Sequence, residues 1–385
     1  MVKPKNWIGK WLFAGAVLLL LSTAAFAQTF SYKGLVSGWM TVNTDADIKP
    51  QLGLRCLPEF SLEKALSPKY NLDLEFSLNA YGSGTINALD DVYTDGKIKP
   101  YRMWLRFSSA QFEVRLGLQK INFGSASLLR PLMWFDRIDP RDPLQLTDGV
   151  YGLLMRYYFL DNTNIWVWGL YGNDEPKGWE TMYSKRKSPE LGGRIQTPLG
   201  KGEIAFSYHH REIDAKGLFQ GPELDNTPIP ENRCAIDGKW DIGIGLWFET
   251  SLFHQQTEDI PYPWQMAVNV GMDYTLGIGN GLNVIGEHFV LEASRDAFGS
   301  GEAAKFSALA LNYPLGILDN ITGILYYDWK NKDFYNFIRW QRTYDRWSFH
   351  FIAFWNPEQF RVYNTQPGNN LFAGKGIQVM AVFNY

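Results

Sequence analysis

Little in this 385-residue chain suits it to metal, redox or nucleic-acid chemistry. Its two cysteines, Cys56 and Cys234, are too few for a disulfide framework or a multi-cysteine metal site. A formal charge of −3 leaves no basic excess to hold a polyanion, so no nucleic-acid partner is expected. Five histidines (His209, His210, His254, His288, His350) are scattered. The adjacent pair His209-His210 points to opposite faces if it lies in a strand, so the two cannot chelate together. No HExxH, GxSxG, phosphate loop or EF-hand loop is present. Gly277-Ile-Gly-Asn-Gly281 is Gly-rich, but it falls in a turn with no helix after it. Past residue 28 no apolar run is long enough to cross a bilayer as a helix.

What the chain does have begins with an export signal. Residues 1–27 read as a secretory signal peptide: Lys3, Lys5 and Lys10, then the apolar run from Trp11 to Leu21, then Ala25-Phe26-Ala27 as the small-x-small cleavage site. The mature chain, 28–385, is read as one domain.

Apolar and polar residues then alternate with period two, the strand signal. Leu72, Leu74, Phe76 and Leu78 oppose Asp73, Glu75, Ser77 and Asn79. Phe112, Val114, Leu116 and Leu118 oppose Glu113, Arg115 and Gln119. The same rhythm recurs at 203–209 and 268–275. Short turns at 108–111, 160–164, 198–202, 241–243 and 344–346 alternate with long loops at 83–97, 123–148, 174–188, 214–232 and 357–374. This predicts an all-β protein: a transmembrane antiparallel up-and-down barrel of about 18 strands, with 16 as the alternative. A closed sheet satisfies every backbone polar group in lipid, with apolar side chains outward and polar ones inward. The expected setting is the outer membrane of a Gram-negative bacterium, with its lipid as one partner. Trp104, Trp166, Trp168, Trp240, Trp264, Trp347 and Trp355 are assigned to interfacial girdles.

A barrel this wide is not filled by its own wall side chains. Projecting the alternation places Arg55, Arg102, Arg106, Arg115, Arg156, Arg194, Arg211, Lys239 and Arg339 inward. The inward acids are Asp73, Glu75, Glu113, Glu190, Glu203, Asp237, Glu249 and Asp273. Arg102, Arg106, Arg115 and Arg156 fall on three consecutive strands and are read as a basic ladder lining a pore. The segment 123–148 is too apolar for an exposed loop, with Leu128, Leu129, Leu132, Met133, Trp134 and Phe135. It is expected to fold into the bore as a constriction carrying Arg130, Asp136, Arg137, Asp139, Arg141 and Asp142. An outward lid bracing the rim is the alternative.

The run Val114-Arg-Leu-Gly-Leu-Gln119, then Phe123-Gly124, then Asp136-x-x-Asp-Pro-x-Asp-Pro143 resembles the alginate-export-type and related large porin-like barrels. That resemblance covers some 30–40 residues and implies a barrel of about 18 strands passing polar or anionic solutes. Leu118 stands where the family pattern often has Arg before the Gln, a departure that weakens the inference of a polyuronate substrate. Phe383 and Tyr385 at the end of an alternating strand resemble the C-terminal signal read by the barrel-assembly machinery.

The function expected is a passive channel for small hydrophilic solutes, leaning to anions, with no cofactor, no metal and no enzymatic activity. One alternative is a sheath, or the outer component of a multi-protein export or electron-transfer complex with a periplasmic partner. Another is an outer-membrane enzyme, for which Ser348 and His350 are the pair worth locating. A homo-oligomer is left open.

Overall fold

The computed structural model describes residues 28–43, 49–88, 91–214, 228–257, 260–357 and 372–385. The expected signal peptide, 1–27, lies outside the described residues, as do 215–227 and 358–371 within two of the expected long loops.

The strands are β1 (Gln28–Asn43), β2 (Lys49–Ser67), β3 (Tyr70–Ala88), β4 (Asp91–Ser108), β5 (Phe112–Gln119), β6 (Val150–Tyr158), β7 (Asn164–Leu170), β8 (Tyr183–Ser184) and β9 (Glu190–Leu199). They continue as β10 (Gly202–Asp214), β11 (Pro228–Asp241), β12 (Gly245–Gln255), β13 (Trp264–Leu276), β14 (Leu282–Ser294), β15 (Glu302–Pro314) and β16 (Asp319–Asp328). The last are β17 (Asp333–Thr343), β18 (Trp347–Trp355) and β19 (Lys375–Asn384). Each long strand pairs antiparallel with its neighbours in sequence, and β1 closes the cylinder against β19 from Leu35↔Asn384 to Asn43↔Gly376. Eighteen strands form this closed wall; β8 is a two-residue addition to the upper end of β10. No helix among the described residues is long and apolar enough to cross a membrane, which says nothing about strands.

Period two sorts the side chains. Val270, Met272, Tyr274, Leu309, Leu311, Phe349, Phe351, Ile377 and Val379 stand exposed on the outer face. Their in-strand neighbours Asn269, Ala308, Ala310, His350 and Gln378 are buried on the inner one. Both cysteines are free.

Two expectations need correction. The stretch 83–97 is not a loop: β3 runs to Ala88 and β4 starts at Asp91, with Ser83↔Asp95 and Thr85↔Tyr93 in register. Hydrophobic alternation fades there while the backbone ladder continues, because a strand wet on both faces needs no apolar side. Three girdle tryptophans also face inward. Trp104 pairs across from Glu75, Trp166 from Arg156, and Trp168 from Leu154, all on the inner surface. Trp104 and Trp166 turn their rings to guanidinium groups: Arg115 lies 4.6 Å from the Trp104 ring and Arg156 3.9 Å from the Trp166 ring. Trp240, Trp264, Trp347 and Trp355 do face outward, Trp240 and Trp347 at the short-turn rim and the other two at the long-loop rim.

Candidate functional site

The long segment between β5 and β6 enters the barrel and packs on the inner wall. Its apolar side chains are nearly all buried, Leu129 at 0% exposure and Leu132 at 1%. Leu128, Leu129 and Met133 meet an apolar inner surface made by Phe289, Phe306, Ile324, Tyr326, Tyr335, Phe337, Ile352 and Phe354 from β14 to β18. Trp134 and Phe135 pack with Phe123, Trp168 and Phe253. Burial of this kind is worth about 1.5–3 kcal/mol per large apolar side chain, ample reason for the loop to leave water.

A buried loop must also satisfy its backbone. Glu287 of β14 does most of this: its carboxylate accepts from the N–H groups of Ser127 (2.6 Å), Leu128 (3.1 Å) and Leu129 (2.6 Å). Glu249 of β12 accepts from the Ala126 N–H at 2.7 Å. Asn269 donates to the Leu129 carbonyl at 2.8 Å, and the Trp134 indole N–H donates to Ser251 at 3.2 Å. Gly124, at φ +96°, passes so close to the Glu249 carboxylate that any side chain would collide with it.

A second inward segment, between β7 and β9, lies on the first. The Gly178 N–H donates to the Asp136 carbonyl at 3.1 Å, and the Trp179 indole N–H to the Arg130 carbonyl at 2.9 Å. The Trp179 ring stacks on Phe289 with centroids 4.5 Å apart. Glu180 anchors the segment by pairing with Arg211 of β10 at 2.8 Å and with Arg233 of β11. Glu231 bridges the same two arginines from the other side, at 2.7 Å and 2.6 Å. Lone buried charges would be ruinous here; the interlocked set is tolerable because each ion has partners.

The bore is therefore divided. Against β10 to β18 it is filled by the two segments; against β1 to β4 a cavity of about 550 Å³ remains. Trp39, Arg55, Tyr81, Asp95 and Lys99 line it from the wall, and Arg137, Asp142, Asp148 and Lys177 from the two segments. Lys99 and Asp148 form an ion pair at 2.6 Å. Burial pushes the Asp148 carboxyl up, but the hydrogen bond and charge from Lys99, with Lys177 and Arg137, carry it below the usual carboxylate range. Burial raises Asp142 instead, and burial with the neighbouring Arg137 charge lowers Lys177.

The expected pore-lining residues fall into three settings. Arg106, Glu113, Arg115 and Arg156 do lie together on the inner wall, knit by ion pairs of Arg106 with Asp73 (2.7 Å) and of Glu113 with Arg115 (3.1 Å) and Arg156 (3.6 Å). Glu75 faces the same side, across from Trp104. Arg102 stands apart from this cluster: 8% exposed, it donates to the Thr147 carbonyl at 3.0 Å and holds the return end of the loop. Arg194 lies deeper, bound to Asp237 at 2.6 Å and 2.8 Å. Within the loop, Arg130 and Asp136 pair with each other at 2.9 Å, and Arg141 pairs with Asp139 at 2.7 Å. Of the six loop residues, Arg137 and Asp142 are the two that line the cavity.

Sequence reasoning missed Arg233, Glu231 and Glu180, and it did not single out Glu287. The first two lie on the same face as Asp237 and Lys239, two and three alternation steps beyond Asp237. Glu180, in a loop, had no pattern to reveal it. Ser348 and His350 share the inner face of β18 with Ser348 Oγ 3.2 Å from His350 Nε2. The other ring nitrogen, Nδ1, has no hydrogen-bond partner, so no carboxylate orients the imidazole as a nucleophile's base requires. No group of three or more metal-ligating side chains occurs among the described residues.

No protein-family profile matches this chain, and no curated protein resembles it in sequence. Solved structures do. OccAB1 of Acinetobacter baumannii superposes with a TM-score of 0.53 at 11% identity, covering 93% of this chain and 95% of that one. An anion-selective porin from Comamonas acidovorans gives 0.48 at 12%, over 93% and 100%. OmpT of Vibrio cholerae, an outer membrane protein in its trimer form, gives 0.49 at 12%, over 93% and 100%. At such identity the likeness to OccAB1 is one of fold, and it agrees with the strand order read directly: the chain is a closed, 18-stranded antiparallel β-barrel.

Proposed function

We propose that this protein is an outer-membrane channel through which small hydrophilic, preferentially anionic, solutes diffuse. The observation that carries the reading is the divided bore: an apolar, loop-filled side and a polar cavity bordered by charged side chains. Charges of both signs facing a narrow aqueous space set up a field that orients polar solutes. Arg55, Lys99, Arg137 and Lys177 against Asp95, Asp142 and Asp148 give the cavity lining a positive balance. Segment 123–148 then acts as the constriction, and the Arg106, Arg115 and Arg156 ladder faces the path on the short-turn side.

Much of the outer face is apolar, and Phe383 packs against Trp347 at 4.8 Å and Tyr385 against Tyr32 at 5.2 Å on the C-terminal seam. The terminal aromatics are thereby presented as the barrel-assembly signal. The motif likeness to alginate-export-type barrels supports the channel role and leaves the solute open. A sheath needs an empty bore for its guest, and here the protein's own segments occupy half of it. Catalysis has no support from an unoriented Ser348–His350 pair.

Planar-bilayer recording of the purified protein tests the proposal. Stable single-channel current with a reversal potential favouring chloride in a salt gradient supports it; a silent barrel removes it.

A further inference from the structure

We propose that the cavity between the two inward segments and β1 to β4 is a saturable binding site for small organic dianions, held by Arg137 and Lys177 at one end and Arg55 at the other. The inference rests on the channel reading and names its solute class. Three observations carry it.

First, the three cations have no ion-pair or hydrogen-bond partner for their charged groups among the described residues, although all line one cavity. Several other guanidinium groups inside this barrel are tied to carboxylates: Arg194 to Asp237, Arg211 and Arg233 to Glu231, Arg130 to Asp136. Asp148, the carboxylate on which both Lys177 and Arg137 act electrostatically, is already engaged by Lys99 at 2.6 Å. Second, Lys177 is only 8% exposed and lines the cavity, and among the described residues no carboxylate forms an ion pair with its ammonium, Asp148, Glu175 and Glu180 acting on it through their charge alone. Burying an unpaired charge is costly, and a bound anion removes the cost. Third, Arg55 is fixed between aromatic rings, 5.6 Å from Trp39 and 5.4 Å from Tyr81, and its Nε is buried without a partner. That preorganised guanidinium presents a fork to a carboxylate, while the two rings offer apolar faces to a carbon skeleton.

The cavity of about 550 Å³ suits a molecule with a short carbon chain. Cations placed on the wall and on the segments favour a solute with two acid groups over one with a single charge. The Asp142 carboxylate, which interacts electrostatically with Arg55, opposes an anion at that end of the cavity.

The test is calorimetric titration of the detergent-solubilised full-length protein with succinate and, separately, with inorganic phosphate and acetate. Succinate is expected to bind saturably and at least tenfold more tightly than acetate. The R137Q/K177Q variant should lose at least tenfold in succinate affinity, and D142N should gain affinity, a direction that general loosening of the loops does not produce. No succinate binding, equal binding of acetate, preference for phosphate, or indifference to R137Q/K177Q each overturns the assignment. Bilayer conductance of the same preparation separates the two readings: a barrel that conducts without binding succinate keeps the channel and loses the site, whereas one that binds succinate without conducting loses the channel.

Discussion

The two sides of the bore obey the same alternation yet carry opposite inner surfaces. On β14 to β18 the inward positions include Phe289, Phe306, Ile324, Tyr326, Phe337, Ile352 and Phe354, and many of the outward ones are apolar too. On β2 to β6 the inward positions are Arg55, Asp73, Glu75, Arg106, Glu113, Arg115 and Arg156. An inner surface this apolar cannot face water, so something must cover it, and the segment 123–148 supplies Leu128, Leu129 and Met133, joined by Trp179 of the second segment. A wall with charged inner residues repels that segment and stays wet. The asymmetry of the pore is thus an asymmetry of inner-face chemistry, with the loop as the piece that matches one half.

Removing that piece breaks the comparison most completely. Deleting residues 128–142 exposes the apolar wall and opens the bore, and a severalfold rise in single-channel conductance is expected; an unchanged conductance would mean that the segment does not restrict the path. Next in size is Glu287→Ala. It orphans the N–H groups of Ser127, Leu128 and Leu129, the two buried leucine groups at a cost of about 1–3 kcal/mol each, so denaturant midpoints should fall and current noise from a loosened loop should rise. Glu287→Gln, which keeps an acceptor oxygen, should lose less.

On the wet side the effects are smaller and electrical. Replacing Arg106, Arg115 and Arg156 together with Gln should move the reversal potential toward cation preference and lower the denaturant midpoint. The substitution strips the largely buried Asp73 and Glu113 of their ion-pair partners. The smallest expected effect is a pH dependence. Burial raises Asp142, so it takes up its proton at a higher pH than a free aspartate. As pH falls through that raised value the cavity loses a negative charge, and anion preference should increase under mildly acidic conditions. The stability contributed by Asp142 likewise grows as pH falls and is lost as pH rises through the folded-state value. D142N should flatten that part of the pH profile, which reversal-potential measurements across the acidic range would show.

Much of the fold was readable because a barrel wall repeats one rule. Runs such as Leu72 to Asn79 and Phe112 to Gln119 declare face and strand together, and the short turns declare the connections. The rule fails where its cause is missing. At 83–97 the strands rise clear of the apolar belt, so pairing persists without alternation. At Trp104, Trp166 and Trp168 residue type suggested an interface, while register put the rings inside against arginines. In the candidate site, the apolar composition of 123–148 foretold burial and the inward face of Arg106, Arg115 and Arg156 followed from parity. Which charged residue meets which did not follow. Arg130 and Asp136 close on each other, and Glu180 reaches Arg211 and Arg233 across 31 positions or more of sequence.

The sequence by itself determined the closed sheet, its approximate strand number and the two chemistries of its faces, because these depend on local alternation and on turns a few residues long. Only the tertiary structure decided where the inner segments lie, which charges they neutralise and which they leave facing the cavity. Those outcomes depend on contacts between residues far apart in the chain, such as Leu129 with Glu287, whose partners are chosen by the shape of the closed cylinder rather than by any neighbour in sequence.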